Sequence, residues 1–179
     1  MKKTINNLTV FCASSQQLNK RYHQYAHDLA DIMTQNTINL IFGGASVGLM
    51  KTVAEKVFAA GLKVIGIIPE FFVSRGLASN CTSELIITKD MFERKKILIE
   101  KADAFVALPG GFGTLDELVE VITLNQINQI DKPVIIYDPE NFYAPLLELF
   151  NKFVTENFAA PEKYYSVAAT KNELEKLLA

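Results

Sequence analysis

The densest set of residues suited to chemistry is Pro109-Gly110-Gly111-Phe112-Gly113-Thr114-Leu115-Asp116-Glu117. Gly110, Gly111 and Gly113 carry no side chains, so backbone N–H groups there can approach a ligand closely. An apolar run precedes the segment and a helical pattern follows it. A helix start offers unpaired N–H groups and the positive end of a dipole. Together these features predict an anion site suited to a phosphate. No Lys-Ser/Thr follows the glycines, so the segment is not a P-loop with a magnesium ligand. Thr114-x-x-Glu117 also has the form of a capping box, with Thr114 as N-cap. Glu117 therefore has two readings, helix cap or catalytic carboxylate. The glycine density favours a site, because a cap alone does not need it.

A second constellation is Asp90-Met91-Phe92-Glu93-Arg94-Lys95-Lys96. Asp90-x-x-Glu93 is another capping box. The cations Arg94 to Lys96 follow near the helix start, where the dipole disfavours positive charge. An anion in a cleft would account for them, and arginine suits phosphate or carboxylate through its planar fork. A solvated basic face is the other reading. Gly43-Gly44-Ala45-Ser46-Val47-Gly48 is close to GxGxxG, with Ala45 in the middle position and Glu70 further on as a ribose-binding acid. It reads either as a dinucleotide turn or as a tight turn with close helix packing. The long stretch Pro69 through Ser83 carries Phe71, Phe72 and Arg75, as a lid, a base-stacking wall or a loop tucked against a neighbour. His23 and His27 share i, i+4 spacing, but without a third ligand no metal site is expected.

These residues need a scaffold. Predicted strands are Leu8–Ala13, Ile38–Phe42, Val64–Ile68, Leu85–Thr88, Ala104–Leu108, Val134–Tyr137 and, more weakly, Tyr165–Ala168. Helical patterns fall at Asn19–Gln35, Val47–Ala60, Met91–Lys101, Leu115–Ile130, Pro145–Asn157 and Asn172–Leu178. Strands such as VIGII and AFVAL are apolar without alternation, as in a parallel sheet covered on both faces. The alternation of strand and helix predicts a Rossmann-like, doubly wound α/β fold of six or seven strands, in a single domain over residues 1–179. Ligands of such sheets bind beyond the carboxyl ends of the strands, where both glycine segments and the basic segment fall. Along Leu115–Ile130, Leu115, Leu118, Val119 and Ile122 predict a core stripe, with Val121, Leu124 and Ile127 opposite. A second apolar face predicts a homodimer.

Composition limits the setting. Of 179 residues, 49% are apolar and 21% charged, which fits a globular chain and not a disordered one. Lys plus Arg is 18 against 20 for Asp plus Glu, so the net charge of −2 gives no support for nucleic-acid binding. Cys12 and Cys81 form no disulfide framework and no CxxC, and Cys12 reads as a small buried hydrophobe. The apolar run Leu8–Ala13 is short for a signal peptide, and Val57–Val73 is broken by Lys63, Pro69 and Glu70. A cytoplasmic protein without membrane partners is expected.

Taken together, FCASS (Phe11–Ser15), GGASVGLM (Gly43–Met50), VIGIIP (Val64–Pro69), MFERK (Met91–Lys95) and PGGFGTLDE (Pro109–Glu117) resemble the LOG (Lonely Guy) family of phosphoribohydrolases. The resemblance spans nearly the whole chain, and the last two motifs in this order and spacing are its specific part. It implies a dimeric Rossmann-like enzyme that hydrolyses the N-glycosidic bond of a nucleoside 5′-monophosphate, AMP or an N6-modified cytokinin nucleotide, to free base and ribose 5-phosphate. It implies no cofactor. Arg94 and Glu117 match the family's catalytic pair. Gly110, Gly111, Gly113 and Thr114 match its phosphate loop, and Ser14, Gly44, Met91 and Lys95 fall where the nucleotide site is expected. Ala13, Ala45, Lys51 and Phe92 depart from the family's FCGSS, GGGSVGLMG and MHERK. Phe92 in place of an imidazole is expected to alter pocket polarity or base preference. Asp116 and Glu84 are candidates to protonate the leaving base. Lysine decarboxylation, an older description of such chains, is disfavoured, since no motif points to a pyridoxal-phosphate lysine. A non-catalytic nucleotide carrier on the same fold is the alternative.

Overall fold

A computed structural model describes residues 4–161 and 164–179. Seven strands, β1 (Asn7–Phe11), β2 (Asn39–Phe42), β3 (Val64–Pro69), β4 (Glu84–Thr88), β5 (Ala104–Ala107), β6 (Val134–Tyr137) and β7 (Ser166–Ala168), alternate with helices. The helices are α1 (Lys20–Gln35), α2 (Gly48–Ala59), the short α3 (Glu70–Val73), α4 (Met91–Lys101), α5 (Phe112–Gln126), α6 (Ala144–Thr155) and α7 (Lys171–Leu178). The strands form one parallel sheet in the order β4-β3-β2-β1-β5-β6-β7. The order reverses between β1 and β5, the crevice where doubly wound sheets take their ligands.

The unalternating strands have the predicted cause. Along β5, Ala104 and Val106 pack with α1, α2 and α7, while Phe105 and Ala107 pack with α5 and residues near α6. On that second side, Leu98 of α4 meets Ile41, Ile65 and Ile67. Helices cover both faces, so both sets of strand side chains are apolar.

Side-chain caps set the starts of α1, α4 and α7. Asn19 accepts from the Arg21 N–H at 3.1 Å and Thr170 from that of Glu173 at 3.2 Å. Asp90 accepts from the Glu93 N–H at 2.8 Å, and Glu93 reaches back to the Lys89 N–H at 2.9 Å. The expected capping box there is present, displaced by one residue on its return arm.

The start of α5 departs from expectation. Gly111, not Thr114, is the N-cap, and no side chain caps the helix. Thr114 lies inside the first turn and is buried against Gly110, where a Cβ would stand 2.1 Å from Thr114 Oγ1. The far end falls short of Ile130 because Asn128 turns left-handed, at φ 57°. Rotation of the helix differs too: Leu118 and Val121 are buried, whereas Val119 is exposed. With Thr114 seated on Gly110 and Glu117 drawn inward, the sheet-facing row runs Thr114–Leu118–Val121. Phe112, Leu115 and Val119 are left on the outer side.

The stretch Pro69 through Ser83 is not structureless. It begins with α3 and is tied to the Gly44–Ser46 segment by an Ala45–Ala78 bridge, Ser46 N–H to Leu77 O at 2.8 Å and Ser79 N–H to Gly44 O at 2.9 Å. Of the readings considered, tucked against a neighbour is the one adopted.

Candidate functional site

A cavity of about 420 Å³ opens beyond the carboxyl ends of β1, β2 and β5, within the range usual for small-molecule sites. Ser14, Met91, Arg94, Gly111, Gly113, Thr114 and Glu117 all line it, as do Cys12, Gly43, Phe72 and Leu77.

Its centre is the Arg94–Glu117 pair. Arg94 Nη1 donates to Glu117 Oε1 at 2.6 Å, and both side chains are about nine-tenths buried. Arg94 Nε donates to the Ile67 carbonyl of β3 at 3.1 Å. Gly43 makes the space: a Cβ there would lie 2.1 Å from Arg94 Nη2. Sequence reasoning placed the Gly43–Gly48 segment at the site but singled out Gly44; the signal for Gly43 was a glycine directly after a strand. Burial pushes the Glu117 carboxyl above its ordinary value, Arg94 pulls it back down, and neighbouring Asp116 adds to the rise. Burial also pushes the Cys12 thiol up, with Glu117 adding to it, so the sulfur stays protonated. That agrees with its reading as a buried hydrophobe.

The start of α5 forms one wall. Its first-turn amides carry no side-chain cap and face the cavity at Gly113 and Thr114. The preceding loop is held from behind. Tyr143 Oη donates to the Leu108 carbonyl at 2.8 Å, and Asp138 accepts from the Phe142 and Tyr143 N–H groups at 2.7 and 2.9 Å. The Ala13 N–H reaches the Pro109 carbonyl at 3.3 Å. Phe72 and Leu77 supply an apolar wall, so the tucked loop also contributes to the cavity. Phe71 packs on Phe72 at 4.3 Å between ring centroids, and the Arg75 guanidinium lies 5.9 Å over Phe71.

Other predicted residues stand elsewhere. Gly44 is outside the lining; at φ +73° it passes under β3, where a Cβ would lie 2.9 Å from the Ile68 Cβ. Gly110 lies behind the lining, covered by Thr114. Lys95 turns away, its Nζ 3.1 Å from Asp116 Oδ2 and 3.2 Å from Glu120 Oε2. Lys96 is exposed beside Glu100 at 3.8 Å. The three cations therefore do not converge on one point: adjacent helix residues diverge by about 100°, and only Arg94 enters. Phe92 is 80% exposed on an outer groove of α4 and does not contribute to the cavity's polarity. Glu70 is exposed at the start of α3, which removes the ribose acid of the dinucleotide reading. Glu84 starts β4, at the opposite end of the sheet from the cavity, and pairs with Lys63 at 3.0 Å. His23 Nδ1 meets Thr52 Oγ1 at 2.8 Å, and His27 is exposed.

Comparison with known proteins bears on this geometry. The family described as "Possible lysine decarboxylase" matches residues 50–178. The cytokinin riboside 5′-monophosphate phosphoribohydrolase LOG3 of Arabidopsis thaliana is 40% identical over 179 residues, covering 99% of this chain and 83% of its own length. LOG4 of the same plant, with the same described activity, is 38% identical over 179 residues, with 99% and 83% covered. Among solved structures, the molybdenum cofactor carrier protein of Chlamydomonas reinhardtii superposes with a TM-score of 0.73 at 20% identity, covering 99% of both chains. The molybdenum cofactor binding protein of Rippkaea orientalis gives 0.71 at 23%, covering 99% of this chain and 96% of its own. These two share the fold. The matched span and the identity to curated relatives along nearly the whole chain show that the protein belongs to the LOG family.

Proposed function

We propose that the protein hydrolyses the N-glycosidic bond of a nucleoside 5′-monophosphate, AMP or an N6-modified AMP of the cytokinin type, releasing free base and ribose 5-phosphate. The observation that carries this reading is a buried Arg94–Glu117 pair on the same cavity as the uncapped start of α5, in a chain of the LOG family.

The 5′-phosphate binds at the amides of Gly111, Gly113 and Thr114, where the dipole favours an anion. The ribose lies over Glu117. As the C1′–N bond breaks, positive charge grows on the sugar, as in glycoside hydrolysis. A carboxylate fixed beside that charge in a dry site stabilises the transition state more than the ground state. Arg94 keeps Glu117 ionised despite its burial. Water supplies hydroxyl to C1′, and the departing base takes up a proton relayed by Asp116, whose presence in the cavity lining supports that role. The base lies toward Met91, Phe72 and Leu77. The phosphate, gripped at a distance, orients the reacting carbon.

The enzyme works in the cytoplasm as a homodimer. Phe112, Leu115 and Val119 form an apolar outer stripe on α5, with Phe112 93% exposed, the kind of patch that marks an interface. Cys12 and Cys81 are both free thiols. Among the described residues no helix is long and apolar enough to cross a membrane. The near-neutral charge argues for a small anion over a polyanionic nucleic acid.

The test is incubation with AMP and with isopentenyl-AMP while ribose 5-phosphate is measured. Release from either is the expected result. Tight binding of both with no release would overturn the reading in favour of a nucleotide carrier.

A further inference from the structure

Adjacent cations on α4 engage acids on α5 in two separate groups. Arg94 takes Glu117 inside the cavity. Lys95 takes Asp116, at the rim of the cavity, and Glu120, beyond it, with only 15% of its side chain exposed. Asp116 and Glu120 are one turn apart, so they would repel each other without a shared cation. The two helices lie on the same face of the sheet and carry the two halves of the pair.

We propose that Lys95 is a positioning residue: by bridging Asp116 and Glu120 it sets α5 against α4 so that Glu117 meets Arg94 as a carboxylate, and the nucleotide does not touch it. This rests on the assignment of Arg94 and Glu117 as the catalytic pair. The groups facing Glu117 are Arg94 and Lys95 from α4, Asp116 from α5 and Cys12 from the end of β1. Two of these are cations, and one of them is Lys95. Without it, Asp116 and Glu120 stand beside Glu117 with Arg94 as the one cation facing it. The carboxyl then holds its proton to higher pH, and the geometry of the pair loosens. Lys95 itself stays protonated: its acids raise its proton affinity beyond what burial removes.

The experiment compares the pH dependence of kcat/KM for AMP in the parent, Lys95→Met and Lys95→Arg, with thermal unfolding alongside. In Lys95→Met the acid limb should move up by about one pH unit. kcat at neutral pH should fall by about tenfold, with KM within about twofold. Lys95→Arg should restore the limb. Glu120→Gln, which removes the other acid that Lys95 bridges and does not line the cavity, should lower kcat with KM held and gives a readout if Lys95→Met does not fold; an unchanged kcat there would overturn the proposal. A KM raised by about tenfold with the limb unmoved would place Lys95 on the substrate and overturn the proposal. A lower unfolding temperature with kcat, KM and limb unchanged would reduce Lys95 to a surface tie and also overturn it. Glu117→Gln, run in parallel, separates the two assignments. If it stays active, the catalytic pair is wrong; if it is inactive while the limb of Lys95→Met stays in place, only the Lys95 proposal fails.

Discussion

Substituting Gly43 by alanine tests the site through a residue that has no side chain of its own. The added Cβ would lie 2.1 Å from Arg94 Nη2, and 3.4 Å is the near edge of ordinary contact, so the guanidinium must retreat by about 1.3 Å. It cannot move that far and keep both the 3.1 Å bond to the Ile67 carbonyl and the 2.6 Å bond to Glu117. A misplacement of about 1 Å can cost roughly 10²-fold in rate, so kcat/KM for AMP should fall by about that factor. Loosening one bond to a buried charged group costs about 1–3 kcal/mol, and in a domain of this size that lowers the unfolding temperature by roughly 2–10 °C. The assay is ribose 5-phosphate release together with thermal unfolding. A double-mutant cycle with Arg94→Ala identifies the route. In that background the space is empty, and Gly43→Ala should change stability by less than about 0.5 kcal/mol. Activity of Gly43→Ala within about threefold of the parent, or an undiminished stability loss in the Arg94→Ala background, would refute the claim that Gly43 acts by admitting Arg94.

Glu117→Gln keeps the shape and removes the charge, so turnover should fall by at least about 10²-fold with the fold retained; an active variant would return Glu117 to a structural role. Because burial holds the Glu117 carboxyl above its ordinary 4.5, the acid limb of kcat/KM should lie above that value. The same raised affinity fixes the sign for stability: this group's contribution is fullest below the ordinary value and is lost as pH rises through the raised one. Relative to Glu117→Gln, the parent should therefore lose stability across that window, and parallel unfolding curves would contradict the burial argument. Tyr143→Phe leaves the Leu108 carbonyl without its 2.8 Å donor and should cost about 1–3 kcal/mol, read as a lower unfolding temperature; an unchanged midpoint would show the bond to be idle. Val119→Asp on the outer face of α5 should convert the dimer to monomer by light scattering, and a parent already monomeric would remove that interface.

The sheet was legible because the strands buried on both faces are written largely as apolar runs, with Thr9 in β1 donating its buried hydroxyl to the Leu98 carbonyl, and each predicted strand lies within two residues of an observed one. The helix starting at Met91 was legible because Asp90 and Glu93 form a real capping box. The helix at Phe112 was misread although Thr114 and Glu117 have box spacing, because each is taken by another partner, one four residues back and one on α4. Gly110 receives the threonine and Arg94 receives the glutamate, and no local pattern shows that competition. The roles of Lys95 and Phe92 were hidden for a related reason. Adjacent residues on a helix point about 100° apart, so the run Phe92–Lys96 scatters into an outer groove, a cavity and two separate ion pairs. Which residue faces inward is decided by the packing of Leu98 on β2 and β3, not by the run's own composition.

A buried ion pair is a weak stabilising device, because desolvating two charges offsets most of their attraction, and an apolar pair of similar volume is often as stable. This chain keeps one in its crevice, leaves Gly43 bare to admit it and spends a β3 carbonyl on holding it. On the proposed function, the return is a carboxyl that Arg94 pulls toward its charged form against its burial, which is what a cationic transition state needs. In the proposed binding mode the phosphate is left to backbone amides, which do not titrate and do not compete for Arg94. Both functions come from one helix start. From Gly113 to Glu117 the helix makes about one turn and rises about 6 Å, comparable to the separation of a 5′-phosphate from C1′ across a ribose. Placing the acid one residue earlier would rotate it by about 100°. Asp116 occupies that position, and its carboxylate is drawn to Lys95 and left more than half exposed. The spacing of glycines to glutamate in the Gly110–Glu117 segment thus matches the span from phosphate to C1′ that the proposed binding mode requires.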